Sequence, residues 1–256
     1  MLNFQSLVAR YLLSSLLSLF TLSVYAAESM NVVYYNDYEP ISWETSGAMR
    51  GVLVDIVDEA IVKRMGIPVV HRGYPWARAQ DMVKRGEADA FLTVVTQERK
   101  EYTVASEESI LSLDFTAYIS ANSPRRKELE KVKTLTDLKP YLIGSYIGNG
   151  WAKTRLTEHR QHLVPRISSV VQMLNAQRID IVVDGAQVMR YNIHKLNLDD
   201  AIIELPPIFE TARFHLCIRK NAVFTDKLAQ FDEVIRAMRK DGTMDKIYKK
   251  YQITAR

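Results

Sequence analysis

An arginine and a threonine that follow a short apolar run have the chemistry needed to bind a charged ligand. Thr96 and Arg99 come directly after the run Asp89 to Val95. A guanidinium matches both oxygens of a carboxylate, and a hydroxyl or amide three residues earlier can donate to the same group. The alternatives are a solvated arginine and a helix N-cap at Thr96. The spacing therefore predicts a carboxylate site or an ordinary helix start.

Large aromatic side chains stand where predicted strands end. Tyr38 follows the first strand, and Trp76 follows Pro75 at a strand-to-helix junction. Aromatic walls suit a flat or cationic ligand, while core packing is the alternative for Trp76. Trp43 is a further candidate wall.

The loop Gly148-Asn149-Gly150-Trp151 offers backbone amides and a small polar side chain at a predicted helix start. Helix-start amides attract anions, although two glycines also suit any tight turn. We therefore treat this loop as a ligand-site candidate in combination with the residues above.

Metal and nucleophile chemistry finds no support in the sequence. The five histidines lack His-Glu-x-x-His spacing, and no Gly-x-Ser-x-Gly segment occurs. Cys217 is the only cysteine, and we expect it to be inert core because it lies in an apolar run. We expect no metal, no cofactor and no catalytic residue.

The first 26 residues predict an export signal. Their one charge, Arg10, precedes an apolar stretch from Tyr11 to Tyr25 and small residues at Ala26 and Ala27. That stretch is shorter than the ~20 residues of a membrane-spanning helix, which is the alternative. We expect cleavage near Ala26 and a periplasmic product.

Composition limits the remaining classes. The 34 basic and 30 acidic side chains are scattered along the chain, which argues against nucleic-acid binding. Hydrophobic residues make up 47% of the chain, enough for one large or two modest cores. We expect a monomer that binds a small molecule.

Runs rich in valine, isoleucine and tyrosine alternate with helical patterns, which predicts an α/β fold with largely parallel strands. The predicted strands are 32–35, 69–72, 89–95, 142–146, 163–167 and 179–183. The predicted helices are one between Gly51 and Gly66, then 76–85, 152–160 and 170–176, the last capped by Ser168 or Ser169.

A helix-to-strand pattern recurs 91 residues later and predicts two similar lobes. Its members are Met82, Val83, Gly86 and Asp89, matched by Met173, Leu174, Gln177 and Asp180. Extended runs at 115–120 and 214–219 are expected to connect the lobes. Lobe 1 is then predicted at 27–118 and 213–256, with helices 227–239 and 244–251, and lobe 2 at 119–212.

Short motifs follow one another along the chain in a fixed order. They are Tyr38-Glu-Pro40, Gly51-Val-Leu-Val-Asp55, Gly86-Glu-Ala-Asp89-Ala, Thr96-Gln-Glu-Arg99, Asp137-Leu-Lys, Gly148-Asn149-Gly150, Leu174 to Asp180 and Asp241 to Tyr251. Their order resembles that of the polar amino-acid type of periplasmic solute-binding protein, bacterial extracellular solute-binding family 3. The resemblance implies a two-lobed class II fold with two linking strands and a ligand held in the cleft. It also implies docking on the permease of an ABC transporter.

The resemblance assigns roles and marks two departures. Arg99 matches the carboxylate-binding arginine of the family, and Trp76 and Tyr38 match its stacking aromatics. Tyr35 stands where the family has an aspartate for the ligand ammonium. Gly185 takes the place of a second aspartate, and Asp184 comes one position early, so its direction depends on strand alternation or a bulge.

These departures favour an amino-acid-like ligand or another small carboxylate over any named amino acid. The predicted ligand-binding set is Tyr38, Trp76, Thr96, Arg99, Asn149, Gly150, Trp151 and Asp184. Two alternatives stay open: an enzyme resembling cyclohexadienyl dehydratase on the same scaffold, and presentation of the ligand to a separate membrane receptor.

Overall fold

The computed structural model describes residues 28–253, so the predicted export signal lies outside the described residues. Within them, none of the helices is long and apolar enough to cross a membrane.

Strands and helices alternate along the first part of the chain. They are β1 (Met30–Tyr35), β2 (Asp37–Tyr38), β3 (Ser42–Thr45), β4 (Ala48–Arg50), α1 (Val52–Val57, continued as a π-helix over Asp58–Arg64), β5 (Val69–Tyr74), α2 (Trp76–Arg85), β6 (Ala90–Val94), α3 (Gln97–Tyr102) and β7 (Thr103–Ala105).

Two long strands, β8 (Leu111–Ser120) and β12 (Ile202–Arg219), flank the next part of the chain. Between them lie α4 (Arg126–Leu129), a 3-10 turn (Leu135–Leu138), β9 (Ile143–Tyr146), α5 (Gly150–Arg155), β10 (Gln161–Val164), α6 (Ile167–Asn175), β11 (Ile181–Gly185) and α7 (Ala186–Lys195). A 3-10 turn (Thr225–Lys227), α8 (Leu228–Lys240) and α9 (Thr243–Lys250) follow β12.

Within residues 28–253, nine strands form a curled mixed sheet. Their order is β10-β9-β11-β8-β12-β6-β1-β5, with β7 beside β12. We call β1–β7, α1–α3, α8 and α9 lobe 1, and β9–β11 with α4–α7 lobe 2. The strands β8 and β12 pair antiparallel with each other, and each also pairs with strands of a lobe. The prediction of an α/β fold with two linking strands is therefore confirmed. The predicted lobe boundaries fall inside these strands and stay a prediction.

The 91-residue repeat has a structural counterpart. The unit α2–β6 begins at Trp76 and the unit α6–β11 begins at Ile167. Asp89 accepts the backbone N–H of Asn31 at 2.8 Å, and Asp180 accepts that of Leu142 at 2.8 Å. In both lobes, then, an aspartate after the helix fixes the start of a neighbouring strand.

Three predicted boundaries in lobe 2 are wrong. The helix predicted at 152–160 ends at Arg155, because the carbonyl of Leu156 accepts from His159 N and Gln161 Nε2 instead of continuing the helix. The strand predicted to reach residue 167 ends at Val164.

The helix that follows this strand begins at Ile167, earlier than predicted, and neither Ser168 nor Ser169 caps it. Its first amide donates instead to the Tyr35 hydroxyl of lobe 1, at 3.1 Å. A tertiary partner therefore supplies the cap that the local sequence was expected to supply. The sequence analysis also did not predict the β2–β4 sheet or α7.

Candidate functional site: the cleft between the lobes

Aromatic side chains from both lobes and both linking strands enclose the centre of the cleft. They are Tyr34, Tyr35, Tyr38, Trp76, Phe115, Tyr146, Trp151 and Phe214. The space among them measures about 30 Å³, enough for a water molecule. A groove of about 400 Å³ adjoins this space on the side of Thr96, Arg99 and Asn149. A ligand as large as an amino acid therefore enters the central space only if the aromatic walls separate.

Tyr35 lies at the centre of this aromatic group. Its ring centroid is 5.7 Å from that of Tyr38, 6.4 Å from Trp76 and 5.1 Å from Tyr146 of lobe 2. Burial raises the pKa of the Tyr35 phenol far above its ordinary value, so the group stays neutral. The position where the family has an aspartate thus contributes an uncharged wall.

Trp43, the further candidate wall, lies elsewhere. Its ring packs against Tyr191 at 6.5 Å and against Tyr251 at 6.1 Å. Trp43 thus contacts residues of both lobes and does not line the central cavity.

Arg99 is held at the edge of the cavity by the start of α3. Thr96 is the N-cap of that helix, and its hydroxyl accepts the Arg99 backbone N–H at 3.3 Å. The capping alternative for Thr96 is therefore observed. Arg99 itself is only 3% exposed, so the alternative of a solvated arginine is wrong.

All five N–H groups of the Arg99 guanidinium donate to uncharged oxygens. Nε and Nη2 donate to the side-chain oxygen of Gln80 at 3.0 and 2.9 Å. Nη1 donates to the Thr93 hydroxyl at 3.0 Å and to the Val94 carbonyl at 2.6 Å. The second N–H of Nη2 donates to the Gly148 carbonyl of lobe 2, at the long distance of 3.5 Å. Burial lowers the pKa of Arg99, but an arginine remains charged. The cleft therefore contains a buried cation bonded to neutral acceptors.

In the loop of lobe 2 that faces Arg99, Asn149, Gly150 and Trp151 each have a distinct structural role. Asn149 caps α5 by accepting the Ala152 N–H at 3.0 Å. A Cβ on Gly150 would lie 2.8 Å from the Arg99 guanidinium. Trp151 stacks on Phe115 with centroids 4.5 Å apart. The second glycine is thus required by a close interlobe approach and not by the turn alone.

Asp184 points into the cleft, which sequence alone left open. Its carboxylate is 1% exposed and accepts from the Tyr38 hydroxyl at 2.6 Å, Gly185 N at 2.8 Å and Asn149 Nδ2 at 3.2 Å. Burial raises the pKa of Asp184 to about 6, against the lowering effect of these three hydrogen bonds. Tyr38 and Asp184 therefore join lobe 1 to lobe 2.

The structure brings the eight predicted residues into one region. Tyr38, Trp76, Arg99, Asn149, Gly150 and Trp151 line the cavity; Thr96 lines the adjoining groove, and Asp184 contacts Tyr38 and Asn149. Sequence reasoning missed Gln80 and Thr93, the side-chain partners of Arg99. Gln80 lies one helical turn after Trp76, which is a spacing that indicates a shared face. Residues 28–253 contain no cluster of ligands that could hold a metal ion.

Two α/β lobes linked by two strands, with polar and aromatic residues converging between them, define a cleft-type solute-binding protein. The chain belongs to the family of bacterial extracellular solute-binding proteins, family 3, whose sequence profile matches residues 30–254. No curated protein matches the chain.

Solved structures with the same fold are distant in sequence. A histidine kinase sensor domain with similarity to periplasmic binding proteins has a TM-score of 0.76 at 20% identity, over 88% of this chain and 96% of that one. The substrate-binding protein of an amino acid ABC transporter has 0.71 at 19%, over 88% and 99%. An ancestral amino acid-binding protein, a precursor of cyclohexadienyl dehydratase, has 0.70 at 23%, over 87% and 95%.

Proposed function

We propose that the protein is exported and captures a small amino-acid-like or other carboxylate ligand between its lobes, for delivery to the permease of an ABC importer. The observation that carries the proposal is the buried Arg99 cation, whose donors all meet neutral oxygens. Burying a charge without a counter-charge is costly, so an anionic ligand group gains strongly at this position.

A second charged group supports a ligand with an amino-acid pattern of charges. Asp184 contacts the same loop of lobe 2, through Asn149, that Arg99 contacts through Gly148. A buried acid and a buried cation beside one loop match the two charges of a zwitterion. Tyr38 and Tyr146 add ring faces that suit a cationic group.

Two further observations support export and import by a transporter. The apolar run from Tyr11 to Tyr25 has the layout of a secretory signal. One structural neighbour is the substrate-binding protein of an amino acid ABC transporter. We therefore assign the cleft to capture and the membrane permease to transport.

The proposal is tested by calorimetry of residues 27–256 with the standard L-amino acids and small dicarboxylates. We expect one of them to bind, and Arg99→Ala to weaken it by at least 100-fold, since truncation removes a buried charge-assisted pair. Arg72→Ala, which removes an exposed arginine from β5, is the matched control and should bind normally. Undiminished binding by Arg99→Ala would remove Arg99 from the site.

A dehydratase-like activity is the second candidate. The observation in its favour is Asp184, a buried acid whose pKa is raised to about 6 and which can exchange a proton near neutral pH. Mass spectrometry of the bound carboxylate after prolonged incubation separates the two functions. Recovery of unchanged ligand supports capture, and a dehydrated product supports catalysis.

A further inference from the structure

The side chain of Gln80 occupies the edge of Arg99 that a ligand carboxylate needs. One oxygen, Gln80 Oε1, accepts from both Nε and Nη2 of Arg99, at 3.0 and 2.9 Å. These two N–H groups form the fork that binds a carboxylate side-on. The other edge is held by the wall of the cleft, through Thr93 and Val94. The Gln80 edge is therefore the two-donor edge that a ligand can take over, and the remaining Nη2 N–H makes only the long contact with the Gly148 carbonyl.

The amide group of Gln80 also connects the lobes. Its Nε2 donates to the Gly148 carbonyl of lobe 2 at 3.0 Å, and more weakly to the Trp76 carbonyl of its own helix at 3.4 Å. The side chain is half-buried and lies in the wall of the 400 Å³ groove beside Thr96. It thus borders the groove together with Arg99.

We infer that Gln80 is a specificity-determining residue that acts as a neutral internal competitor for the Arg99 fork. A ligand binds only if its hydrogen bonds to Arg99 exceed those of the glutamine amide. A carboxylate does so because its two negatively charged oxygens can each accept one N–H of the cationic fork, whereas the glutamine amide offers one uncharged oxygen to both. An amide, ester or alcohol offers Arg99 nothing better than the amide already present, so it is excluded. The inference rests on the proposed function, since it requires Arg99 to be the carboxylate site.

The test measures carboxylate binding at Arg99 directly, with sodium acetate as the probe and acetamide as its neutral counterpart. The readout is the Nε–Hε NMR signal of Arg99, identified by its absence in Arg99→Lys. Gln80→Ala and Gln80→Asn both remove the competitor, the latter because its amide is one methylene too short. We expect both to bind acetate roughly three- to tenfold more tightly than the unmodified protein. This ratio of dissociation constants corresponds to the net contribution of about one hydrogen bond.

A second variant moves the result in the opposite direction. Gln80→Glu places a tethered carboxylate on the fork, and we expect acetate binding to weaken by more than tenfold. Gln97→Ala, an exposed glutamine on α3, is the matched control and should behave as the unmodified protein. Acetamide should leave the Arg99 signal unchanged in the unmodified protein.

The outcomes distinguish the two proposals. Acetate binding that is equal or weaker in Gln80→Ala overturns the inference alone, because Gln80 would then only hold Arg99 in place. An Arg99 signal that acetate fails to shift in every variant overturns the carboxylate site itself and the inference with it.

Discussion

At the scale of single residues, the cleft pairs an acid and a phenol from different lobes. Asp184 and Tyr38 are both buried, and the 2.6 Å bond between them is the shortest that Asp184 forms. Burial raises the pKa of Asp184 to about 6, so the folded protein holds this proton more tightly than the unfolded chain does. The stabilisation is complete below about pH 4 and is lost as the pH rises through about 6.

We therefore expect Asp184→Asn to remove a specific part of the pH dependence of stability. The difference in unfolding free energy between the unmodified protein and the variant should fall by about 2 kcal/mol from pH 4 to pH 7. Denaturant titrations at several pH values measure it. Asp200→Asn changes the same charge at an exposed site and is the control. A difference that stays constant across this pH range would contradict the assignment.

At the scale of elements, the turn from β9 into α5 brings the backbone of lobe 2 close to α2 of lobe 1. Gly148 has φ of +92°, and a Cβ there would lie 2.8 Å from Gln80 Nε2 and 2.9 Å from the Ala77 backbone N. Gly47, in the turn between β3 and β4, also has positive φ but has open space around it. The two glycines share a positive φ, which would strain any other residue, and differ in what they face.

This comparison gives a prediction for closure of the cleft. Gly148→Ala and Gly47→Ala should each lose roughly 1 kcal/mol of stability from backbone strain. Only Gly148→Ala should also hold the lobes apart, because the backbone of α2 cannot move away from the added methyl group. Small-angle X-ray scattering of the two variants measures the separation. Equal radii of gyration would show that the turn does not limit closure.

At the scale of the whole molecule, ion pairs join the lobes outside the cavity. Lys195, at the end of α7, contacts both oxygens of Glu39 of lobe 1 at 2.7 Å. Lys153 contacts Glu98 at 2.7 Å, but both side chains of this pair are more than half exposed. Because Glu39 is 9% exposed and Lys195 54%, the first pair is less screened by water.

We expect Lys195→Glu to shift the protein toward an open arrangement, since two carboxylates then meet where a pair was. The free energy of the closed arrangement relative to the open one should rise by about 1 kcal/mol. The change is this small because water screens the half-exposed lysine, and it should be smaller still in high salt. Fluorescence energy transfer between labels on the two lobes measures it. The exchange Glu39→Lys with Lys195→Glu should restore closure. A double variant as open as the single one would exclude this contact from closure.

The linking strands allow such a change of arrangement. The pairing of β12 with β8 is irregular between Glu204 and Glu210, where Pro206 and Pro207 interrupt the strand. A proline has no N–H to donate to a neighbouring strand, so the sheet is weakest there. The lobes are thus joined at a place where the backbone ladder is already broken.

Local patterns in the sequence predict the alternation of strands and helices, the repeat of 91 residues and the candidates Arg99 and Trp76. These features depend on local periodicity, on glycine and proline positions, and on residue types that a short window reveals. The match between Asp89 and Asp180 is one example, because each follows its own helix at the same spacing.

Which groups meet in the cleft depends on how the chain folds. The cap of α6 is a tyrosine 132 residues away, the direction of Asp184 depends on its register with β8, and the acceptors of Arg99 come from α2, β6 and lobe 2. Such contacts form between segments that are distant in the chain, where no local pattern specifies a partner. For the same reason the sequence predicts Arg99 as a site residue but does not reveal that Gln80 occupies its fork.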